Sequence, residues 1–310
     1  MAETLLQFKD IVKSFGKNQV LTGVSFDIPY KERFGIIGVS GSGKTTLLNI
    51  LIGFLRANSG GIYYRSENIL RRKKDVQQTF GFAAQDGSFY QKLTVMENVS
   101  YFGRLYGMKK DDIEKRAVNL LGLVGLSRAK NVLGGNLSKG MQRRLDIACA
   151  MIHNPRVLIL DEPTEDLDPL LRKDILALIE KINEQGTTII MTSHLLQEIE
   201  AICTRIAILH KGVILETGTS KQLREKYYKY DEIHFETTPG DYKKVVAKLN
   251  KKHIHEILHL HDKVIIHTPE PEAVLKNILL AVNGAKEKLS ELSLSKPTLE
   301  EVFEKLTKEG

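Results

Sequence analysis

Gly38-Val39-Ser40-Gly41-Ser42-Gly43-Lys44-Thr45 spells G-x-x-x-x-G-K-[ST] between an apolar run, Phe34 to Ile37, and an apolar helical pattern at Leu47, Leu48 and Leu51. That order builds a phosphate cradle. Glycines let successive backbone N–H groups converge on phosphate oxygens, and the helix N-terminus adds positive potential. Lys44 then reaches the terminal phosphates and Thr45 ligates magnesium. A plain glycine-rich turn accounts for the glycines but not for the lysine, the spacing and both flanks together. Farther along, Val157-Leu158-Ile159-Leu160 runs into Asp161-Glu162, two carboxylates at the end of a buried strand, the edge where open α/β sheets bind ligands. Phosphoryl transfer needs one acid to hold magnesium, here Asp161, and another to orient or deprotonate water, here Glu162. Alone, two such acids could equally cap a helix; beside a phosphate loop the chemical reading prevails. The segment Asn136 to Gln142 opens a further helix. There Ser138 is either a plain N-cap or, with the free N–H groups beside it, an anion site.

These residues need a scaffold, and the hydrophobic periods describe one. Val24, Phe26 and Ile28 alternate with Ser25, Asp27 and Pro29, as in a half-buried strand, so the first segment is β-rich. From Thr94 to Leu126 the pattern is helical, and Met141, Leu145, Ala148 and Ile152 share one face of a helix that stops at Asn154-Pro155. After the strand Val157 to Leu160 come a helix started by Asp168-Pro169, with Ile175, Leu178, Ile179 and Ile182 inside, and a strand over Thr187 to Thr192. Strands alternating with helices predict a mostly parallel sheet covered by helices. Arg205 to Leu209 and Val213 to Thr217 read as a hairpin that closes this domain. Past Gly218 the pattern restarts: strands near Glu232 to Thr237, Ile254 to His261, Lys263 to His267 and Lys288 to Leu294, with helices over Asp241 to Lys252, Glu270 to Val282 and from Thr298. That βαββαβ order matches a ferredoxin-like unit. Residues 1–220 and 221–310 are therefore expected to be two domains.

Composition sets the class. The 310 residues are 42% hydrophobic and 27% charged, ordinary for a globular protein, and exclude a disordered or collagen-like chain. The longest apolar runs are strand-sized, short of the roughly 18 residues that cross a bilayer. The N-terminus lacks the features of a signal peptide. Cys149 and Cys203 are too few for a disulfide framework, which points to a reducing cytoplasm. Of the net charge of +7, residues 1–220 carry +6. The one dense basic run, Arg71-Arg72-Lys73-Lys74, has no interleaved aromatic and reads as a solvated face, so no nucleic acid is expected.

Taken in order, these motifs make the chain resemble the nucleotide-binding subunit of an ATP-binding cassette (ABC) transporter over about residues 5–220. Leu137-Ser138-Lys139-Gly140-Met141 resembles that family's LSGGQ signature, Gln85 its Q-loop glutamine, Glu165-Asp166-Leu167-Asp168 its D-loop, His194 its switch histidine and Phe15 its adenine-stacking aromatic. The resemblance implies a RecA-like parallel core with an antiparallel β subdomain and a helical signature subdomain, followed by the small α+β domain. It implies ATP and Mg2+ as cofactors. Gly38, Ser40, Gly41, Ser42, Gly43, Lys44, Thr45 and Thr46 would bind nucleotide, Thr45, Gln85 and Asp161 the metal, and Glu162, Gln85 and His194 would serve catalysis. Two cassettes, identical or different, would dimerise head to tail. The signature, Leu137 to Met141, and the D-loop Asp168 of one would then complete the site of the other. Integral-membrane permease subunits would hold the pair at the cytoplasmic face of the cell membrane.

The sequence departs from the family pattern at Lys139 and Met141, which replace the first Gly and the Gln of LSGGQ, and at Glu165-Asp166, which replace small residues of the D-loop. Glu162 and His194 are intact, so hydrolysis is expected. The tail, Pro297 to Leu306, resembles cassettes serving ABC-2 type exporters; it also reads as an amphipathic helix with Leu299, Val302, Phe303 and Leu306 inward. A soluble ABC ATPase of ribosomes or DNA is disfavoured because such chains carry two cassettes or long coiled coils. A small-molecule kinase would leave the signature segment and His194 unexplained. His253, His255, His259, His261 and His267 crowd the second domain, without a clear ligand spacing for a metal.

Overall fold

The two apolar runs that precede the chemistry-bearing residues lie one strand apart in a six-stranded sheet. The computed structural model describes residues 3–69, 78–227, 230–260, 262–296 and 298–309. The basic run at Arg71 to Lys74, His261 and Pro297 fall outside them. The chain divides into two units, Met1–Ser220 and Lys221–Gly310.

In the first unit the elements run β1 (Thr4–Phe15), β2 (Asn18–Pro29), β3 (Arg33–Ile37), α1 (Lys44–Leu51), β4 (Ser59–Tyr64), β5 (Glu67–Asn68) and β6 (Phe80–Ala83). Then come α2 (Val95–Leu105), α3 (Lys110–Leu123), α4 (Lys139–Met151), β7 (Val157–Asp161), α5 (Pro169–Glu184), β8 (Thr188–Ser193), α6 (Leu196–Ile202), β9 (Arg205–His210) and β10 (Val213–Gly218). An antiparallel sheet, β2-β1-β4-β5, stands beside the central sheet, β10-β9-β3-β8-β7-β6. In the latter, β9, β3, β8, β7 and β6 are parallel and only β10 is antiparallel. The runs are apolar because every residue of β7 and β8 is buried, and full burial contributes roughly 1.5–3 kcal/mol for each large side chain. Phe8, Phe26 and Phe34 stack in series, at 4.3 and 5.3 Å between centroids, and join the two sheets.

The parallel arrangement decides where chemistry can occur. The carboxyl ends of β3, β8, β7 and β6 fall on one edge, with Ile37 opposite Ser193 and Asp161 opposite Thr192. Asp168 starts α5 as expected, its Oδ1 accepting from the N–H groups of Leu170 and Leu171 at 3.0 Å, with Pro169 in the first turn. The continuous helical pattern from Thr94 to Leu126 resolves into α2 and α3. Gly107, at φ +75°, turns the chain between them, and Thr94 with Glu97 closes a capping box on α2.

The second unit follows α7 (Ser220–Tyr227) with β11 (Asp231–Thr238), α8 (Tyr242–Lys248), β12 (Glu256–His259), β13 (Val264–Thr268), α9 (Pro271–Ala285), β14 (Lys288–Ser295) and α10 (Leu299–Glu309). Its antiparallel sheet has the order β12-β13-β11-β14, the split βαβ arrangement read from the sequence. Here α8 stops short of Lys252 because Asn250 Oδ1 accepts the Lys252 N–H at 2.9 Å and turns the chain instead. Correspondingly, β12 starts at Glu256 rather than Ile254.

Candidate active site

The loop between β3 and α1 is shaped by what cannot fit. A Cβ on Gly38 would lie 2.3 Å from the Leu209 carbonyl oxygen and 2.4 Å from Ser42 Oγ. Gly43, the N-cap of α1, has φ +111°, where a side chain is strained. Lys44 folds over this loop, donating to the Gly38 carbonyl at 2.8 Å, and its Nζ lies 3.4 Å from Glu162 Oε1. Ser42 Oγ is buried and makes no hydrogen bond among the described residues. Ser40, Gly41 and Thr45 are exposed and Thr46 is half-buried. A buried unpaired hydroxyl and an exposed one thus border the same glycine loop.

At the end of β7, Asp161 Oδ1 accepts a 2.6 Å hydrogen bond from Thr192 Oγ1, which in turn accepts the Glu162 N–H at 3.0 Å. Glu162 has φ +46° and holds His194 through Oε2, which accepts the backbone N–H at 3.2 Å and lies 3.0 Å from Nδ1. The structure therefore gathers Lys44, Asp161, Glu162 and His194 at one sheet edge. Gln85, just beyond β6, donates from Nε2 to Glu165 Oε2 at 2.5 Å.

The other predicted residues lie apart from this group. Ser138 caps α4, its Oγ accepting from the Met141 N–H at 3.4 Å. Leu137 and Gly140 are buried, Met141 is half-buried and Lys139 is exposed. Lys139 lines a groove of about 180 Å³ together with Gln85, Glu165 and Asp166. Phe15 sits at the turn from β1 to β2, 48% exposed, with Lys13 Nζ 4.8 Å from its ring centroid.

Several residues that organise the edge escaped the sequence reading. Thr192 ties the two acids together. Arg143 donates from NH1 to the Ala84 carbonyl and from NH2 to the Gln85 carbonyl, each at 2.9 Å. Asp146 accepts the N–H groups of Ser88 and Phe89, and burial holds its carboxyl above the ordinary carboxylate range. Glu198 of α6 accepts from Thr164 Oγ1 and lies 3.7 Å from Arg172 Nε, which donates to the Leu167 carbonyl. Arg143 and Asp146 did not stand out, because the first half of the same helix also carries Lys139, Gln142 and Arg144. In the second unit, His234 and His267 share the carboxylate of Glu232, and His267 also meets Glu256. His253 meets Glu270 and His255 stacks on Tyr230. Among the described residues no three His, Cys, Asp or Glu are arranged to hold a metal ion, nor is any helix long and apolar enough to cross a membrane.

A glycine loop with a buried lysine, facing two carboxylates across the carboxyl edge of a parallel sheet, defines a P-loop nucleotide-binding domain. The family model described as ABC transporter matches residues 21–165. Over 306 residues, 98% of each chain, the protein is 32% identical to the linearmycin resistance ATP-binding protein LnrL of Bacillus subtilis. The bacitracin transport ATP-binding protein BcrA of Bacillus licheniformis is 31% identical over 307 residues, 98% of this chain and 97% of its own. The methionine import ATP-binding protein MetN of Clostridioides difficile is 38% identical over 224 residues, 71% of this chain and 70% of its own. The structure of cbiO1 from Clostridium perfringens, part of an ABC transporter complex, superimposes with a TM-score of 0.66 at 27% identity, covering 72% of this chain and 94% of that one. The chain belongs to the ABC transporter family of ATP-binding subunits.

Proposed function

We propose that the protein hydrolyses ATP with Glu162 as the group that activates water, and that this turnover powers an exporter through a separate membrane permease. The observation that carries the reading is the bracketing of one carboxylate: Lys44 stands at Glu162 Oε1 and His194 at Oε2. Phosphate oxygens compete with Glu162 for Lys44. When they win, Oε1 is released to accept a proton from water while His194 keeps the carboxylate aimed and presents its exposed ring to the terminal phosphate. Gly38 to Thr46 wrap the phosphates, Phe15 offers a ring face to the adenine, and Gln85 contacts the attacking water.

The donor set fits magnesium, which takes one or two carboxylates and completes its shell with phosphate oxygens and water. Among the described residues Asp161 uses only Oδ1, and the Thr45 side chain is exposed; these two would hold the ion, with Gln85 beside them. Bound there, it would neutralise charge on the transferring phosphoryl group.

A head-to-tail dimer supplies the remaining contacts, with Leu137 to Met141 and Asp168 of one cassette facing the nucleotide of the other. Residues 1–220 serve as the nucleotide-binding domain and 221–310 as an accessory domain, at the cytoplasmic face of the membrane. Export is favoured by coverage. A 306-residue match to a resistance protein takes in the second unit, whereas a 224-residue match to an import protein cannot span both.

Glu162→Gln keeps the shape of the site and removes the proton acceptor. We expect ATP binding within about twofold of wild type, turnover lowered by at least about a hundredfold, and a nucleotide-trapped dimer by light scattering. Wild-type turnover in this variant would overturn the assignment.

A further inference from the structure

One carboxylate of α6 ties together residues that stand beside Glu162 and His194. Glu198 Oε2 accepts from the Thr164 hydroxyl and, at 3.5 Å, from the Ser193 hydroxyl. Thr164 lies two residues after Glu162, across Pro163, whose ring fixes φ. The Glu165 N–H donates to the Glu162 carbonyl at 3.2 Å and closes that turn. Ser193 directly precedes His194, and its Oγ also accepts the Leu195 N–H at 3.0 Å, so one hydroxyl spans the histidine. Glu198 is 8% exposed, Thr164 and Ser193 1% each. The second carboxylate oxygen, Oε1, is buried without a hydrogen bond among the described residues and lies 3.7 Å from Arg172 Nε. Arg172 thereby compensates a buried charge while its Nε is held on the Leu167 carbonyl at 2.8 Å.

We infer that Glu198 is a positioning residue for hydrolysis, which keeps the two segments carrying Glu162 and His194 in register so that carboxylate and imidazole meet in one geometry. This rests on the reading that Glu162 and His194 act on ATP. The imidazole cannot hold that geometry by itself. Its side chain is 47% exposed, and among the described residues its ring has one hydrogen bond, the one to Glu162. Its aim is therefore set by its backbone, which is anchored at two points: Glu162 Oε2 takes the His194 N–H, and Glu198 holds the preceding residue through Ser193 Oγ. The same Glu198 oxygen holds Thr164, so the two anchors cannot drift apart independently. A misplacement of about 1 Å between reacting groups can cost about a hundredfold in rate, whereas the loop that wraps the phosphates, Gly38 to Thr46, makes no use of Glu198. Loss of this carboxylate should accordingly be felt in turnover and not in nucleotide binding.

The test uses the full chain. Glu198→Ala removes the shared acceptor, Thr164→Val keeps the carboxylate and removes one hydroxyl at constant volume, and Glu198→Gln keeps an oxygen for both hydroxyls and serves as the rescue. Binding of a fluorescent ATP analogue and KM for ATP should stay within about twofold of wild type in all three. Turnover should fall about tenfold in Glu198→Ala and about fivefold in Thr164→Val, but less than about twofold in Glu198→Gln. In a His194→Ala background, read with radiolabelled ATP, Glu198→Ala should cost less than about threefold further, since it acts through the histidine. Wild-type kcat in Glu198→Ala and Thr164→Val overturns the inference, as does an undiminished loss in the His194→Ala background or a Glu198→Gln chain as slow as Glu198→Ala. A fall in nucleotide binding that parallels a fall in melting temperature also overturns it, being the mark of a folding brace alone. If Glu198→Ala does not fold, Thr164→Val carries the same comparisons. Full turnover in Glu162→Gln would instead remove the hydrolysis reading, and this inference with it.

Discussion

Replacing Thr192 by valine removes one oxygen from the middle of the site and leaves its shape alone. Thr192 is fully buried, donates to Asp161 Oδ1 at 2.6 Å and accepts the Glu162 N–H at 3.0 Å. Valine occupies the same volume and suits a strand, so the loss is confined to two hydrogen bonds. A buried donor or acceptor left unpaired costs about 1–3 kcal/mol, and the carboxylate lies toward the upper end. Two such groups, less what water recovers at a site open on one edge, come to about 3 kcal/mol. For a unit of this size about 1 kcal/mol moves the melting point by roughly 2–4 °C, so Thr192→Val should melt roughly 6–12 °C below wild type. Thr192→Ser retains the hydroxyl and loses one methyl, about 1 kcal/mol, and should fall by no more than roughly 4 °C. Scanning calorimetry of the full chain, following the transition of the first unit, reads the stability. Steady-state ATPase assays should show kcat reduced at least about tenfold for valine and less than about threefold for serine, because both acids share that anchor. A valine variant that melts with the serine variant and turns over at the same rate would refute the reasoning.

His153 donates from Nε2 to the Phe80 carbonyl, stacks on Tyr106 at 3.6 Å, and is pushed down to about 4 by burial and secondarily by Arg116. Between the ordinary imidazole value and about 4 the unfolded chain binds the extra proton, so this residue's contribution to stability falls as pH falls through that window, by up to about 3 kcal/mol. Asp146, raised by burial, has the opposite sign, so the difference between wild type and His153→Phe is the quantity to follow by urea denaturation from pH 7 to 4; a flat difference would contradict the assignment. Lys139→Ala in a Glu162→Gln background should raise the ATP concentration for half-maximal dimerisation by less than about fivefold at low salt and not measurably at high salt, as befits an exposed charge; a tenfold shift that persists in high salt would mean a direct nucleotide contact. Removing residues 221–310 should leave a folded chain that binds nucleotide, since the Lys44, Asp161, Glu162 and His194 constellation lies wholly in the first unit; an insoluble product would show that the second unit is needed for folding.

The central residues were legible because each follows a short strand that its own sequence marks, wherever that strand falls in the sheet order β10-β9-β3-β8-β7-β6. Each of β3, β7 and β8 contains a short apolar run; Asp161 ends β7, His194 follows β8, and Lys44 closes the glycine loop that begins where β3 ends, so finding the strands found all three. The strand β6 is only Phe80–Ala83 and interrupted by Gly81, too weak a signal to mark, although Gln85 depends on it. Thr192 was hidden because a threonine in a β-branched run reads as strand filler. Arg143 and Asp146 were hidden for a different reason: their partners are main-chain atoms of a loop more than fifty residues earlier, which no side-chain pattern records. In the second unit alternation along the two central strands puts Ile233, Phe235, Val264 and Ile266 in the core. It could not foresee that the histidines on the opposite face would be paired with Glu232 and Glu256, since those pairs form across strands.

Two of the departures from the family pattern, Lys139 in the segment that resembles the signature and Glu165-Asp166 in the one that resembles the D-loop, gain meaning from their placement. Taken singly, each puts charge where the family has small neutral residues, and each would be expected to disturb a surface that meets a partner. In the fold the cation and the two acids line one groove, with Gln85 bonded to one of those acids. Opposite charges so placed weaken each other's reach into solvent, so the field at the surface changes less than either substitution alone would suggest. The acids also give the Gln85 amide a partner that a serine or glycine D-loop lacks at that position. Lys139, Glu165-Asp166 and Gln85 thus border one groove, and Gln85 is bonded to Glu165 within it. Substituting any one of them should be judged against the other two.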